Sequence, residues 1–403
     1  MSAVTRVAIV GAGPIGLEAA LAAAERGLGF TVYEATGSVG GNVRQWGHVR
    51  TFTPWEMTVS PRARAALEAA GAQAPGGERP PTGDDLADLL LDPLAALPGI
   101  AGRVRTGVRV RAIAREGLLK HEEIGSERRA GRPFRLLLAD PDGSESIEHA
   151  DAVIDCSGTY DHPNRLGDGG IDAIGETALD DRIDRRLCDF GAEPERWAGR
   201  TILLTGAGNS AQTAARDLAL LAQSAPGTRV IWAVRSSEPT WGAVADDSLR
   251  ERAALNRISA ELAAGASPAV EVLRGVVCER LARRDGRIDV TLRNGDAGEV
   301  TVDRVLGLNG AVGDASLYRQ LQVHECYATS GPMNLAAALL GSAGGDCLTA
   351  PAPGPKTVTN PEPGFFILGI KSYGRNNQFL LRNGWEQVDH AFASLAPPAA
   401  PGC

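Results

Sequence analysis

The chain opens with VTRVAIV (Val4–Val10), a β-branched run apolar enough to be buried on both faces, which predicts a central parallel strand. The strand breaks at GAGPIG, and LEAALAAAERG then predicts an Ala/Leu-rich helix closing at Gly27. A second strand, FTVYEA, ends in Glu34. The same order returns 195 residues later. Thr201–Thr205 predicts a strand, GAGNSA a glycine turn, the following residues a helix, and TRVIWAVR a strand ending in Arg235. Each copy is followed by ribbon-like alternation. Gly102–Ile113 alternates Val with Arg and predicts one strand with a charged face. PFRLLLADPDGSESIEHADAVIDCSG adds a strand, a turn, a short strand and a buried strand at Ala152–Asp155. IDVTLRNGDAGEVTVDRVLGLNG repeats that pattern. The two buried strands run out at Gly158 and Gly310. Residues 71–85 read as a Pro/Gly-rich surface loop. Near the end, Phe365–Gly369 predicts a strand, followed by a polar loop and a helix of about one and a half dozen residues. The tail APPAAPGC predicts disorder.

The glycine turns carry the first chemistry. Strand, GxGxxG, helix, strand and terminal acid form the order of a dinucleotide-binding βαβ unit. Gly11 permits the tight turn, Gly13 lets the backbone approach a pyrophosphate, and Gly16 lets helix and strand pack closely. The helix N-terminus faces the phosphates, and Glu34 can accept from a ribose hydroxyl. In the second copy Gly206, Gly208 and Ala211 take the three motif positions, with Asn209 and Ser210 opening the helix. Arg235, followed by Ser236 and Ser237, supplies a cation and hydroxyls suited to a 2′-phosphate. The fold class expected is therefore α/β, with two Rossmann-like domains. The predicted divisions are 1–160, 161–312 and 313–392, with a tail at 393–403.

Composition narrows the function classes. The chain has 403 residues, 41 basic against 49 acidic, so no basic stripe for nucleic acid is expected. No run of about 18 uncharged apolar residues occurs, which predicts no membrane span. The 38 Arg against 3 Lys read as coding bias. No basic n-region precedes the first strand, and a cytoplasmic protein with free thiols is expected. Cys156, Cys188, Cys278, Cys326, Cys347 and Cys403 include no Cys-x-x-Cys pair, and the six His show no ligand spacing, so no metal is assigned. His48 is either a group near a cofactor or substrate or a hydrogen-bonded structural residue. Lys371, Tyr373, Arg375, Asn376 and Asn377 form an unusually polar loop, read either as polarising groups or as a solvated turn.

With both glycine motifs, both ribbons and the closing strand, loop and helix, the chain resembles the two-dinucleotide-binding-domain flavoproteins over roughly residues 4–392. That superfamily includes flavin-containing monooxygenases, Baeyer–Villiger monooxygenases and thioredoxin-reductase-like enzymes. The resemblance implies FAD in the first domain, NADPH in a second domain inserted into it, and a C-terminal segment returning to complete the FAD site. Carried onto this chain, it places Gly11, Gly13, Pro14, Ile15 and Gly16 at the FAD pyrophosphate. It places Glu34 and Ala35 at the ribose, and Gly41, Asn42 and Trp46 along the flavin. Val110 corresponds to the backbone contact to adenine, and Ser157 and Gly158 to the small-residue turn between domains. Gly369, Ile370, Gln378 and Phe379 would sit near the isoalloxazine. One departure stands out: the family commonly has Gly-Asp where this chain has Gly369, Ile370 and Lys371.

The resemblance implies an oxidoreductase. The reading preferred here is an NADPH-dependent monooxygenase that oxygenates a small molecule with molecular oxygen through a flavin C4a-(hydro)peroxide. The alternative is a reductase of the thioredoxin-reductase-like type without its dithiol, and a third is a non-catalytic FAD-binding module. The absent Cys-x-x-Cys disfavours the dithiol route. DCSGTYDHPNRLG lacks the Phe and Trp-Pro of a Baeyer–Villiger fingerprint. The Trp46–Trp55 loop and the 320–360 segment are extra length suited to walling off a flavin. A homodimer is among the assemblies this architecture allows.

Overall fold

The computed structural model describes residues 4–295, 298–340, 348 and 354–395. Two compact units form, one from the chain up to His162 together with the chain from Val312 on, the other from Pro163–Ala311.

The first unit starts with β1 (Arg6–Val10), α1 (Pro14–Glu25) and β2 (Gly29–Glu34). β1 is buried from Val7 onward, as a strand covered on both faces must be. The predicted single strand at 102–113 is instead two strands in different sheets. β3 (Val104–Thr106) pairs parallel with β2, whereas β4 (Arg109–Arg115) pairs antiparallel with β5 (Phe134–Ala139). Gly107, at φ +76°, makes the break, a conformation that glycine reaches without a Cβ penalty. β6 (Glu145–Ala150) completes the ribbon, and β7 (Ala152–Asp155) returns to pair with β1. The loop predicted at 71–85 ends earlier. Thr82 caps a helical turn at Gly83–Leu86, which continues as a π-turn (Ala87–Leu91) and a further turn at Asp92–Ala95.

The second unit has β8 (Ile183–Asp184), β9 (Thr201–Thr205), α2 (Asn209–Ser224), β10 (Arg229–Val234) and β11 (Val270–Arg274). A ribbon of β12 (Val277–Arg284), β13 (Arg287–Arg293) and β14 (Glu299–Val302) leads into β15 (Arg304–Gly307), which pairs with β9. Its parallel sheet has the order β11-β10-β9-β15-β8.

After Val312 come the short pair β16 (Glu325–Cys326) and β17 (Gly331–Pro332), then β18 (Phe365–Ile367). β18 completes the first sheet in the order β18-β7-β1-β2-β3, all parallel. The chain closes with α3 (Leu381–Leu395), whose buried side (Val388, Ala391, Phe392) shares one apolar cluster with Leu17, Ala20 and Leu21 of α1. Each large apolar side chain buried there stabilises by about 1.5–3 kcal/mol. The helix extends to Leu395, so the tail predicted from residue 393 cannot begin there; residues 396–403, with Cys403, lie outside the described residues, as does Cys347. No described helix is long and apolar enough to cross a membrane.

Candidate functional site

A cavity of about 440 Å³ opens in the first unit at the C-terminal ends of its parallel strands. That is where ligands bind in open α/β sheets. Its wall begins with the glycine turn. Gly11 has φ +96°, and a Cβ there would fall 2.7 Å from the Cys156 carbonyl oxygen. A Cβ on Gly16 would lie 1.8 Å from the Gly11 oxygen, so Gly16 is a packing residue under the turn and does not reach the wall. A Cβ on Gly13 would meet nothing within 4 Å, because Gly13 faces open cavity at the N-cap of α1. The first-turn N–H groups of α1, with Pro14 at its start, have no intrahelical acceptors and suit a phosphate.

Glu34 ends β2 in the wall, nearly buried. Its Oε2 accepts from the Ala12 N–H at 2.8 Å, and its Oε1 accepts from the Thr36 N–H at 2.9 Å and hydroxyl at 2.8 Å. An ionised carboxylate has about four lone-pair sites, which leaves one for a ligand hydroxyl. Thr36 explains Gly41: a Cβ at 41 would fall 1.9 Å from the Thr36 hydroxyl. Nothing in the sequence marked Thr36 beyond its place two residues after the acid.

Of the other predicted positions, Ile15, Ala35, Asn42, Trp46, Val110, Ser157, Gly158, Gly369, Ile370 and Phe379 all line this cavity. Gln378 does not; its backbone N–H donates to Asn376 Oδ1 at 2.8 Å, which turns the loop aside. His48 is exposed and off the wall, while Thr51 and Thr53 of the same segment are on it. The loop after β18 is not a solvated turn throughout. Lys371 and Tyr373 are buried, with Arg375 and Asn377 exposed. Lys371 Nζ lies 2.6 Å from Asp155 Oδ2 and 3.0 Å from Ser157 Oγ. Sequence reading passed over Asp155, although an acid in the apolar run AVID is a signal of a buried partner. Asp314 and His162 also line the cavity, 3.8 Å apart, without any motif to mark them. Cys156 is in the wall too. Burial, aided by the Asp155 carboxylate, pushes its thiol well above the ordinary cysteine value.

In the second unit the glycine turn has the same form. Gly206, at φ +107°, would place a Cβ 2.2 Å from the Leu308 oxygen, and a Cβ on Gly208 would meet nothing within 4 Å. Trp232 Nε1 donates to the Gly206 oxygen at 2.8 Å and braces the turn. Gly208 caps α2, Asn209 and Ser210 are exposed in its first turn, and Ala211 is buried beneath. Arg235 and Ser236 are exposed just past β10, and Arg235 forms no salt bridge among the described residues. Among those residues there is also no group of His, Cys, Asp and Glu that could hold a metal.

Residues 9–65 match the family model of the NAD(P)-binding Rossmann-like domain. No curated protein matches the chain. Among solved structures, it is similar to bacillithiol disulfide reductase Bdr (YpdA) from Bacillus cereus, at 18% identity and TM-score 0.70 over 98% of this chain and 99% of that one. It is similar to the FAD-bound cadaverine monooxygenase DfoA from Erwinia amylovora, at 11% identity and TM-score 0.65 over 98% and 95%. Lactococcus lactis thioredoxin reductase matches at 17% identity and TM-score 0.59 over 97% and 99%.

Proposed function

We propose that this chain, whose fold is that of the two-dinucleotide-binding-domain flavoproteins, is an FAD-dependent oxidoreductase that takes electrons from NADPH and oxygenates a small molecule. The residues of the first cavity fit FAD. The space over Gly13 is open where a Cβ would otherwise stand, α1 presents free N–H donors, and Glu34 keeps one acceptor site for a ribose hydroxyl. The second turn, with Gly208, Asn209, Ser210 and Arg235, suits NADPH. Bound flavin supplies two-electron chemistry between a nicotinamide and a second acceptor. The chain's part is to bind, orient and exclude water. Trp46, Leu86, Leu317 and Phe379 give the cavity wall its apolar portions.

The observation that carries oxygenation over disulfide reduction is the state of the thiols. Among the described residues of the wall, Cys156 is the only cysteine, and burial pushes its thiol well above the ordinary cysteine value. A dithiol relay needs a second thiol and a thiolate. A second reading, reduction of a small disulfide, is favoured by the likeness to bacillithiol disulfide reductase and by the presence of Cys156 in the wall. One experiment separates the two. NADPH oxidation is followed with and without oxygen over a panel of small amines and small disulfides, with hydrogen peroxide measured in parallel. Oxygen-dependent oxidation whose peroxide yield falls as an oxygenated product rises supports the monooxygenase. Oxygen-independent turnover with a disulfide would replace it with the reductase.

A further inference from the structure

Lys371 is 2% exposed, on a loop where the flavoproteins this chain resembles commonly carry a carboxylate. Its charge has the opposite sign. A Cβ on Gly313 would fall 2.4 Å from Lys371 Cγ, so that glycine makes room for the stem. The ammonium is held by Asp155 Oδ2 and Ser157 Oγ, and lies 5.1 Å from the centroid of the Tyr318 ring. Asp155 is fixed in turn, its Oδ1 accepting from the Ser157 N–H at 3.0 Å and hydroxyl at 2.7 Å. An ammonium has three donors, and among the described residues two oxygens accept from it. Lys371 is part of the cavity wall, which makes a group held in the cavity the candidate third acceptor.

The surroundings make this cation consequential. Asp314 is in the same wall, Asp155 lies directly behind it, and the field of Lys371 reaches both Asp314 and Glu325. Without the ammonium, Asp155 would keep only the Ser157 N–H and hydroxyl, and the other ionisable groups of the wall and its backing would be Asp314 with His162 3.8 Å away, Arg109, Cys156, Tyr318 and Glu325. A flavin that accepts a hydride from NADPH becomes reduced flavin with one negative charge, and NADPH leaves as NADP⁺. A carboxylate left without its ammonium opposes that change, and a fixed ammonium favours it. An ion pair with a purely structural task is replaceable by apolar residues of like volume, often without loss of stability. A ligand-facing ammonium is not.

We propose that Lys371, locked by Asp155 and Ser157, donates a charge-assisted hydrogen bond to bound flavin and raises its reduction potential by favouring the reduced anion. This rests on the FAD reading above. The test is the midpoint potential of the FAD-loaded protein, by equilibration with redox dyes, which needs no substrate. Lys371→Met should favour the oxidised form about tenfold or more, about 30 mV lower for a two-electron couple, and Lys371→Arg should stay near wild type. Because Lys371→Met strands the buried Asp155, the double variant Asp155→Asn/Lys371→Met removes both charges and should still lie below wild type. FAD-loaded Met and double variants with the wild-type potential would overturn the proposal. Wild-type protein that binds no FAD would overturn the functional reading itself, and this inference with it.

Discussion

Arg115 Nε donates to Glu362 Oε1 at 2.7 Å with both side chains essentially withdrawn from solvent. Arg129 shares the same carboxylate through Nη2 at 2.8 Å, and Arg115 also reaches the Pro363 carbonyl. The Arg115 guanidinium stacks on Phe134, 3.6 Å from the ring centroid. This cluster ties the ribbon strand β4 to the chain just ahead of β18, which completes the first unit's parallel sheet. Two buried guanidinium groups and the Gln322 N–H together occupy this carboxylate. Glu362→Ala should therefore cost about 3–5 kcal/mol of unfolding free energy, since it leaves buried charge uncompensated. Chemical denaturation measures it; a loss under about 1 kcal/mol would show the cluster to be dispensable.

Gly13 and Gly16 should separate under mutation. Gly13→Val projects into open cavity, so the expected outcome is lost flavin with unchanged far-UV circular dichroism and little change in stability. Gly16→Ala pushes a methyl onto the Gly11 carbonyl and should destabilise by about 1–3 kcal/mol. Flavin content per chain and thermal unfolding read the two effects independently. Flavin retained at full occupancy by Gly13→Val would remove the glycine turn from the site.

The part of the cavity wall built by the glycine turn was legible because it is backbone. Glycines at fixed offsets between an apolar strand and an Ala-rich helix can be read without knowing any side-chain contact, and 15 of the predicted FAD-site residues line the cavity. What was missed depends on tertiary partners. Thr36 matters only because Glu34 folds back to it, and Asp314 reaches the wall from a segment with no pattern at all. The Val/Arg alternation through 102–113 was read as one strand because periodicity does not show that Gly107 switches the chain between sheets. Lys371 looked like a loop residue because its carboxylate partner lies 216 positions away.

Nicotinamide preference follows from the ends of β2 and β10. The first ends in an acid and the second runs straight into Arg235, exposed and without a salt-bridge partner among the described residues. Arg235→Ala should raise the KM for NADPH roughly 10- to 150-fold while leaving that for NADH nearly unchanged, the loss of one charge-assisted contact of ~1.5–3 kcal/mol. Steady-state kinetics with both cofactors decides it. Equal use of NADH and NADPH by the wild type would sink the assignment.

The thiols give a prediction that bears on where electrons go. The Cys156 thiol is raised by burial first and by the Asp155 carboxylate second, which disfavours the thiolate in the cavity wall. Burial likewise pushes Cys188 and Cys278 up to about 12. Cys326 differs, because hydrogen bonding with Thr329 holds its thiol below the ordinary value. The thiolate is the reactive form, and its fraction changes tenfold per pH unit of pKa. At mildly alkaline pH, iodoacetamide followed by peptide mapping should modify Cys326 more than ~10-fold faster than Cys156, Cys188 or Cys278. A group that relays electrons to a disulfide must be available as thiolate beside the flavin, and the wall thiol should fail that requirement. Cys156 labelled as fast as Cys326 in the folded protein would reverse the argument and favour the disulfide-reductase reading.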